Sequence, residues 1–358
     1  MMTVLRATVF SARCVLRGVV IHAPRDLRIE EVPIVPPAPL EVRVRIEAGG
    51  ICGSDLHYYR HGGFGTVRIR EPMALGHEVA GVIEEVGAGV SHLVPGMRVA
   101  VNPSRPCNAC RFCLGGQRNQ CLDMRFLGSA MRFPHVQGGF RQSLTVDAAQ
   151  AVPLSDTLSM AEAAMAEPLA VCLHAASRAG NLLGARVLIT GCGPIGALAA
   201  LVARHAGAAE IIVTDVAAAP LVVAERLGIT RAVNVAEEPE ALSVYARDKG
   251  TIDVLFEASG SAAALAGALD VMRPGGVIVQ LGLGGDGALP INVLLAKELQ
   301  LRGTFRFDRE FELAVALLGG GAIDVKPLLT AILPFERATE AFELASDRNQ
   351  AMKVQLAF

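Results

Sequence analysis

Residues 186–215 read RVLITGCGPIGALAALVARHAGAAEIIVTD, and the hydrophobic pattern changes twice along them. Arg186 to Thr190 is a short aliphatic, β-branched run of the kind that makes a buried strand. Ala197 to Ala206 is rich in Ala and Leu, residues that favour helix, and Gly207 closes it. Glu210 to Thr214 is a second strand-like run. Between the first strand and the helix lies Gly191-Cys192-Gly193-Pro194-Ile195-Gly196. Gly191 permits a tight turn, Gly193 lets the backbone approach a pyrophosphate, and Gly196 lets helix and strand pack closely. Pro194 suits a first helical turn, where its missing N–H removes no intrahelical bond. A G-x-G-x-x-G match is weak alone, but between a strand and a helix it is the dinucleotide fingerprint. Asp215, about twenty residues on, is placed to accept hydrogen bonds from the adenosine ribose. Its competing reading is a helix cap at a strand end. A carboxylate there repels a ribose 2′-phosphate, and Val216 to Ala219 offers no Arg, so NAD is expected over NADP.

Downstream, strand-like runs at Arg231 to Val235, Ile252 to Glu257, Val277 to Leu281 and Leu299 to Phe305 continue the pattern. Helical segments at Pro220 to Leu227 and Ser261 to Met272 separate them, and such alternation makes a doubly wound parallel sheet. Upstream, short β segments at Val19 to His22, Leu27 to Val32, Glu41 to Ala48, Val79 to Val86 and Met97 to Val101 alternate with turns. They suggest a β-barrel-like domain. Ala161 to Ala176 looks helical around Glu167-Pro168, and the proline is expected to break it into two helices at a domain junction. Residues from about Glu310 onward are expected to return to the first domain. The chain therefore divides into 1–168, 169–309 and 310–358.

A chain of 358 residues is long enough for two cores. An apolar fraction of 52% excludes disorder, and a mean hydropathy of +0.41 raises the question of a membrane. The longest apolar candidate, Val187 to Ala203, is interrupted by Gly191, Gly193, Pro194 and Gly196 and falls short of a span. A formal net charge of -2 offers no basic field to nucleic acid or anionic lipid. Of the 8 cysteines, Cys107, Cys110, Cys113 and Cys121 crowd into one short stretch. With no leader expected, metal binding in a reducing cytoplasm fits better than disulfides. The first fifteen residues, MMTVLRATVFSARCV, are basic without acids and are expected to be an extension or an early start.

Three cysteines at intervals of three, completed by Cys121, make a closed set with no position left for water. That is a structural zinc site, in a lobe spanning about residues 103–123. Free buried thiols and an iron–sulfur cluster are the competing readings. A nucleic-acid zinc module is disfavoured, because Arg111, Arg118 and Arg125 make too thin a basic face. A second set lies in GICGSDLHYYRHGGFGTVRIREPMALGHE, Gly50 to Glu78. A thiolate, an imidazole and a carboxylate (Cys52, His77, Glu78) are the side chains that hold a catalytic zinc and leave a position open. A lone Cys is often a buried apolar filler, so this reading requires the fold to bring Cys52 and His77 together.

The GICGSDxH turn followed by GHE resembles the zinc site of medium-chain alcohol and polyol dehydrogenases. The resemblance covers nearly the whole chain after Arg17. Asn119 to Phe140 (NQCLDMRFLGSAMRFPHVQGGF), Leu301 to Phe307 (LRGTFRF) and Lys353 to Phe358 (KVQLAF) are similar to the sorbitol dehydrogenase branch, and most to its L-idonate 5-dehydrogenases. The resemblance implies a GroES-like catalytic domain, a Rossmann coenzyme domain and an active site in the cleft between them. It assigns Cys52, His77 and Glu78 to a catalytic zinc and Glu167 to a further carboxylate that binds directly or through water. Cys107, Cys110, Cys113 and Cys121 match its structural zinc, which makes two zinc ions per chain beside NAD.

The implied reaction is hydride transfer from a secondary alcohol of a small sugar acid or polyol to NAD. L-Idonate to 5-ketogluconate is expected first, and sorbitol or xylitol second. Ser54 is expected to take the alcohol's proton and His57 to carry it to solvent; a turn-stabilising hydroxyl and a surface histidine are the plain readings. Asp55 is expected to orient His77. An aldonate differs from a polyol by a carboxylate that needs a cation. Arg125, Arg132 and Arg306 are the candidates, with Arg306 nearest the reacting end. The family implies a homo-oligomer, dimer or tetramer, in the cytoplasm. Two departures stand out: Cys192, a thiol expected to be oxidation-sensitive beside the pyrophosphate, and Arg132. A zinc-free quinone reductase of the same fold would lack Cys52, His77 and the four-cysteine lobe. A non-catalytic zinc protein would have no use for Asp215 or Ser54.

Overall fold

The computed structural model describes residues 16–358, so the expected N-terminal extension lies outside them. Leu16–Ala23 (β1) and Asp26–Val32 (β2) pair antiparallel. Glu41–Gly50 (β3) is the spine of the first domain. Its Val42, Val44 and Ile46 are buried while Arg45 faces solvent, the alternation of a strand with one face on a core. Gly53–His61 (α1) follows it directly. Glu78–Val86 (β4) pairs antiparallel with β3, and Arg98–Val101 (β5) pairs with β4. Ser143–Asp147 (β6) also pairs with β3, and Ala151–Pro153 (β7) pairs with β5.

The expected helix over 161–176 is two helices, Met160–Ala163 (α2) and Ala166–Ala179 (α3). The break falls at Ala164 and Met165, ahead of the proline. Pro168 sits in the first turn of α3, where no intrahelical donor is needed. The residue expected to end a helix belongs to the start of one.

Six parallel strands build the second domain: Arg186–Thr190 (β8), Glu210–Asp215 (β9), Arg231–Asn234 (β10), Ile252–Glu257 (β11), Met272–Gln280 (β12) and Gln300–Gly303 (β13). They lie in the order β10-β9-β8-β11-β12-β13. The order reverses between β8 and β11, and the crevice at that switch point is where open α/β sheets bind ligands. Val187, Leu188 and Ile189 are consecutive and all fully buried, because both faces of a parallel sheet are covered. Pro194–His205 (α4) starts at the end of β8.

Glu310–Gly319 (α5) buries Phe311, Ala314, Val315 and Leu318 in the same core as Leu169 of α3 and Leu198 of α4. His174 Nδ1 lies 2.9 Å from Glu310 Oε1 and ties α3 to α5. The chain rejoins the first sheet only at Leu329–Pro334 (β14), and Lys353–Ala357 (β15) pairs parallel with β14 and antiparallel with β3. The first sheet thus has seven strands, and its centre is completed by the last residues of the chain. Among the described residues no helix is long and apolar enough to cross a membrane.

Candidate active site

The three zinc-type side chains meet because β3, α1 and β4 meet. Gly50, at the end of β3, pairs with Glu78 at the start of β4. Cys52 caps α1, and His77 immediately precedes β4. Ligand atoms of Cys52, His77 and Glu78 lie within 4.8 Å of one another. Asp55 is fully buried beneath them. The Cys52 amide donates to its Oδ2 at 3.0 Å and the Gly76 amide to its Oδ1 at 3.3 Å. His77 Nδ1 lies 3.8 Å from Oδ1, too long for a hydrogen bond. Asp55 therefore holds the backbone that carries Cys52 and His77, where the sequence suggested that it grips the imidazole itself.

Glu167, in the first turn of α3, is buried beside this set but outside the 4.8 Å group. Burial pushes its carboxyl up to about 8, with the Glu78 and Cys52 charges adding to the effect against His77 and Lys353. Burial and then Glu78 push the Cys52 thiol up to about 12. Lys353, from β15, forms a buried ion pair with Glu78 and donates to the Ile51 carbonyl at 3.0 Å. Its pKa is raised: burial opposes the charge, but Glu78 and Cys52 more than offset it. His77 Nδ1 and Glu78 Oε1 are buried with no hydrogen-bond partner. Burial thus drives the Glu167 carboxyl and the Cys52 thiol toward their neutral forms, and a bound divalent cation reverses that balance. Thiolate, imidazole and carboxylate together are a zinc set, so the residues fit this metal.

In the second set, all four sulfurs of Cys107, Cys110, Cys113 and Cys121 lie within 4.8 Å of one another. Cys110 Sγ is 3.6 Å and Cys107 Sγ 4.0 Å from Cys113 Sγ. Sulfurs about 2.3 Å from one zinc stand about 3.8 Å apart on a tetrahedron. Backbone amides point at the sulfurs: Cys107 N donates to Cys121 Sγ at 3.2 Å and Asp123 N to the same atom at 3.3 Å. The amides of Cys113 and Leu122 hold the Cys110 thiol down to about 6, on the thiolate side. No described cysteine is in a disulfide.

At the nucleotide end the three glycines divide the work. Gly191 has φ +87, and a Cβ there would sit 2.7 Å from Ser259 Cα; a Cβ on Gly196 would lie 1.9 Å from the Gly191 carbonyl oxygen. Gly193 meets nothing within 4 Å, which leaves the open face a pyrophosphate needs. Pro194 and Ile195 open α4, whose N-terminus favours an anion. Asp215 closes β9 and is buried; the Cys192 amide donates to its Oδ2 at 2.8 Å and the Ala217 amide to its Oδ1 at 2.9 Å. Cys192 is not an exposed thiol. It is fully buried, its Sγ lies 3.3 Å from the Pro220 carbonyl oxygen, and burial followed by Asp215 pushes it up to about 12. The expected oxidation sensitivity is thereby removed, since it requires an accessible thiolate.

The candidate arginines separate. Arg306 has φ +53 and its guanidinium lies 4.0 Å from the centroid of the Phe126 ring, which stands 5.5 Å from the His77 ring. Burial pulls Arg306 down to about 10 against the charge of Glu167. Arg125 precedes Phe126 in a short strand, faces the other way and lines a groove of about 680 Å³ with Arg105 and Arg141. None of the zinc-type residues lines that groove. Arg132 pairs with Asp123. Arg125 and Arg132 are thus not brought to the site, because strand alternation turns one outward and a loop carboxylate holds the other. Ser54 and His57 lie three apart on α1, on one face of the helix. Burial, then His61 and Arg60, lowers the pKa of His57.

Residues 38–156 match the model of the alcohol dehydrogenase GroES-like domain, and residues 194–319 match that of the zinc-binding dehydrogenases. The chain belongs to the zinc-binding alcohol dehydrogenase family. Among its relatives in that family is L-idonate 5-dehydrogenase (NAD(P)(+)) of Escherichia coli K12, 46% identical over 88% of this chain and 91% of the relative. Sorbitol dehydrogenase of Gallus gallus is 37% identical over 95% of each chain. The crystal structure of the Escherichia coli L-idonate 5-dehydrogenase superposes with a TM-score of 0.92 at 43% identity, covering 96% of this chain and 98% of that one. Two side chains that this dehydrogenase places at its site escaped the sequence reading: Lys353 and Phe126. Lys353 left one signal, a lysine opening the apolar run KVQLAF; Phe126 left none beyond its place in an aromatic loop.

Proposed function

We propose that this dehydrogenase oxidises a secondary alcohol of a sugar acid, L-idonate first, with sorbitol or xylitol as weaker substrates. The observation that carries the sugar-acid reading is Arg306, a half-buried cation that shares the Phe126 ring with His77. It is a cation within reach of an ionised substrate carboxylate. The identity with the Escherichia coli enzyme supports the same substrate.

Cys52, His77 and Glu78 would hold the catalytic zinc, with Glu167 a further carboxylate behind them, and the four-cysteine lobe would hold the second ion. When bound, zinc would supply a Lewis acid that lowers the pKa of the alcohol, and the nicotinamide would supply the hydride acceptor. Asp55 fixes the Cys52 and Gly76 backbone, so the ligands are held in place before substrate arrives. Ser54 accepts the hydroxyl proton and His57, one turn along α1, passes it toward solvent. Gly193 and Asp215 hold the dinucleotide across the cleft.

We place the catalytic domain at 1–168 and 310–358 and the coenzyme domain at 169–309, with residues 310–328 contributing to the coenzyme-domain core. The free cysteines suit a reducing cytoplasm, and a homo-oligomer is part of the reading. The test is NAD reduction with L-idonate and sorbitol side by side. A higher kcat/KM for L-idonate is expected, and a preference for sorbitol replaces this reading with that of a polyol dehydrogenase.

A further inference from the structure

The outer groove is lined by Arg43, Arg105, Arg125 and Arg141, with Glu41 as its lining acid. Arg43 pairs with Glu84 and Glu85, and Arg105 pairs with Asp147. Of the lining arginines, only these two have a carboxylate partner among the described residues. Glu41 is engaged elsewhere, its Oε2 accepting from the Ala38 amide at 3.0 Å. We propose that this groove is a second ligand site, for a small amphipathic anion. Its carboxylate or phosphate head would meet Arg141 and Arg125, and its apolar body would lie along the groove wall.

Arg141 is the decisive residue. It is only 8% exposed, and its Nε is buried with no hydrogen-bond partner among the described residues. Burial lowers its pKa, and no neighbouring acid opposes the effect. The first fifteen residues contain no Asp or Glu, so no side chain there offers a counter-charge either. A guanidinium left out of water without a partner costs stability, and an anion from solution removes that cost. The backbone holds Arg141 in this place. It bridges to Gly18 of β1, and the carbonyl of the preceding Phe140 accepts from Val19 N at 2.8 Å. Arg125 reaches the same groove from the neighbouring loop and is exposed. The rest of the wall is largely apolar, with Val32, Ile34, Val35, Leu127, Leu144 and Val146 among its residues. Ile34 is 36% and Val35 53% exposed, so large aliphatic surface stands open beside the arginines. A volume of about 680 Å³ with an apolar lining and a few polar groups is the make-up of a small-molecule site. An inorganic ion would leave the aliphatic wall in water, and a neutral ligand would leave Arg141 unpaired. Neither the zinc-type residues nor the glycine turn lines the groove, so its ligand is not the substrate or the dinucleotide.

The readout is calorimetric titration of the zinc-loaded full chain with octanoate, octyl phosphate, octanamide and inorganic phosphate, with thermal melts to establish folding. Octanoate or octyl phosphate should bind saturably at one site per chain, and the tighter of the two identifies the head group. Octanamide, which keeps the apolar body without the charge, should bind about tenfold or more weakly, the size of one lost charge-assisted contact. Inorganic phosphate, which has no body, should also bind more weakly than octyl phosphate. Arg141→Met and Arg125→Ala should each weaken the anions about tenfold and leave octanamide unchanged; where Arg141→Met does not fold, the exposed Arg125 decides alone. Cys52→Ser should bind the anions as wild type does, and loss of binding there would put them on the catalytic metal and overturn the proposal. Absence of saturable binding to wild type overturns it too. So does octanamide as tight as octanoate, inorganic phosphate as tight as octyl phosphate, or full anion binding by the arginine variants.

Discussion

Lys353 and Glu78 form an ion pair buried at the end of β3, one side chain arriving from each strand that flanks it. The packing leaves no room between them: a Cβ on Gly50 would lie 2.1 Å from Glu78 Oε2 and 3.1 Å from Lys353 Cε. The last strand of the chain therefore delivers a cation to the metal-type set formed near its beginning. This pair also steadies the carboxylate when no metal is bound.

Replacing Lys353 by Met should leave the Glu78 carboxylate buried and unpaired. Losing one member of a buried pair costs about 3–5 kcal/mol. Denaturant unfolding of metal-free Lys353→Met should show a loss of that order, and zinc should reduce it. Equal stability of the metal-free variant and wild type would show that Lys353 does not stabilise Glu78.

Purified protein should carry two zinc ions per chain. Cys110→Ser should lose one and melt at a lower temperature, because a closed four-thiolate site contributes directly to folding. Cys52→Ser should lose the other and all turnover while its far-UV spectrum is retained. Metal analysis returning one equivalent in wild type, unchanged in Cys110→Ser, would remove the structural site.

The lowered pKa of His57 fixes the sign of a pH effect. A proton acceptor must be neutral, and burial, with His61 and Arg60 nearby, keeps this imidazole neutral to lower pH than an ordinary histidine. The acid limb of kcat/KM for alcohol oxidation should therefore lie below the usual histidine range. His57→Gln should lower the rate at neutral pH by about a hundredfold, and added imidazole should restore part of it. An unchanged acid limb in His57→Gln would remove His57 from the proton path.

Much of the fold was legible because its signals are local. The glycine turn between Thr190 and α4 reads as a strand-to-helix junction from the residues alone, and Ile252–Glu257 is bounded as its hydrophobic run suggests. The cysteine spacing announces its own cluster. What stayed hidden depends on contacts made across the chain. Lys353 and Arg348 enter sites built by Glu78 and Asp215 only because the last segment crosses back to β3, and no spacing encodes that. Arg125 was misplaced for a smaller reason. Adjacent strand residues face opposite sides, and Phe126 takes the inner one. Pro168 marked a helix boundary correctly in kind but on the wrong side of itself, since a first turn tolerates proline as well as a break does.

Arg306 provides the sharpest test of the substrate. It is held in a left-handed backbone conformation after the last Rossmann strand, stacked near Phe126 and Phe305, with Met131 Sδ 3.2 Å from its Nη2. Neither a ring face nor a thioether neutralises a guanidinium, so its charge remains free for a ligand. Arg306→Gln keeps a polar side chain but removes the charge. If that charge meets the substrate carboxylate, kcat/KM for L-idonate should fall about ten- to a hundredfold, the 1.5–3 kcal/mol or so of a charge-assisted bond. Sorbitol, which carries no carboxylate, should lose much less. Arg125→Ala and Arg132→Ala should leave both substrates within about twofold, since one faces the outer groove and the other is paired with Asp123. An equal loss for both substrates in Arg306→Gln would assign the arginine to sugar hydroxyls or to Glu167, and the acid specificity would need another cation.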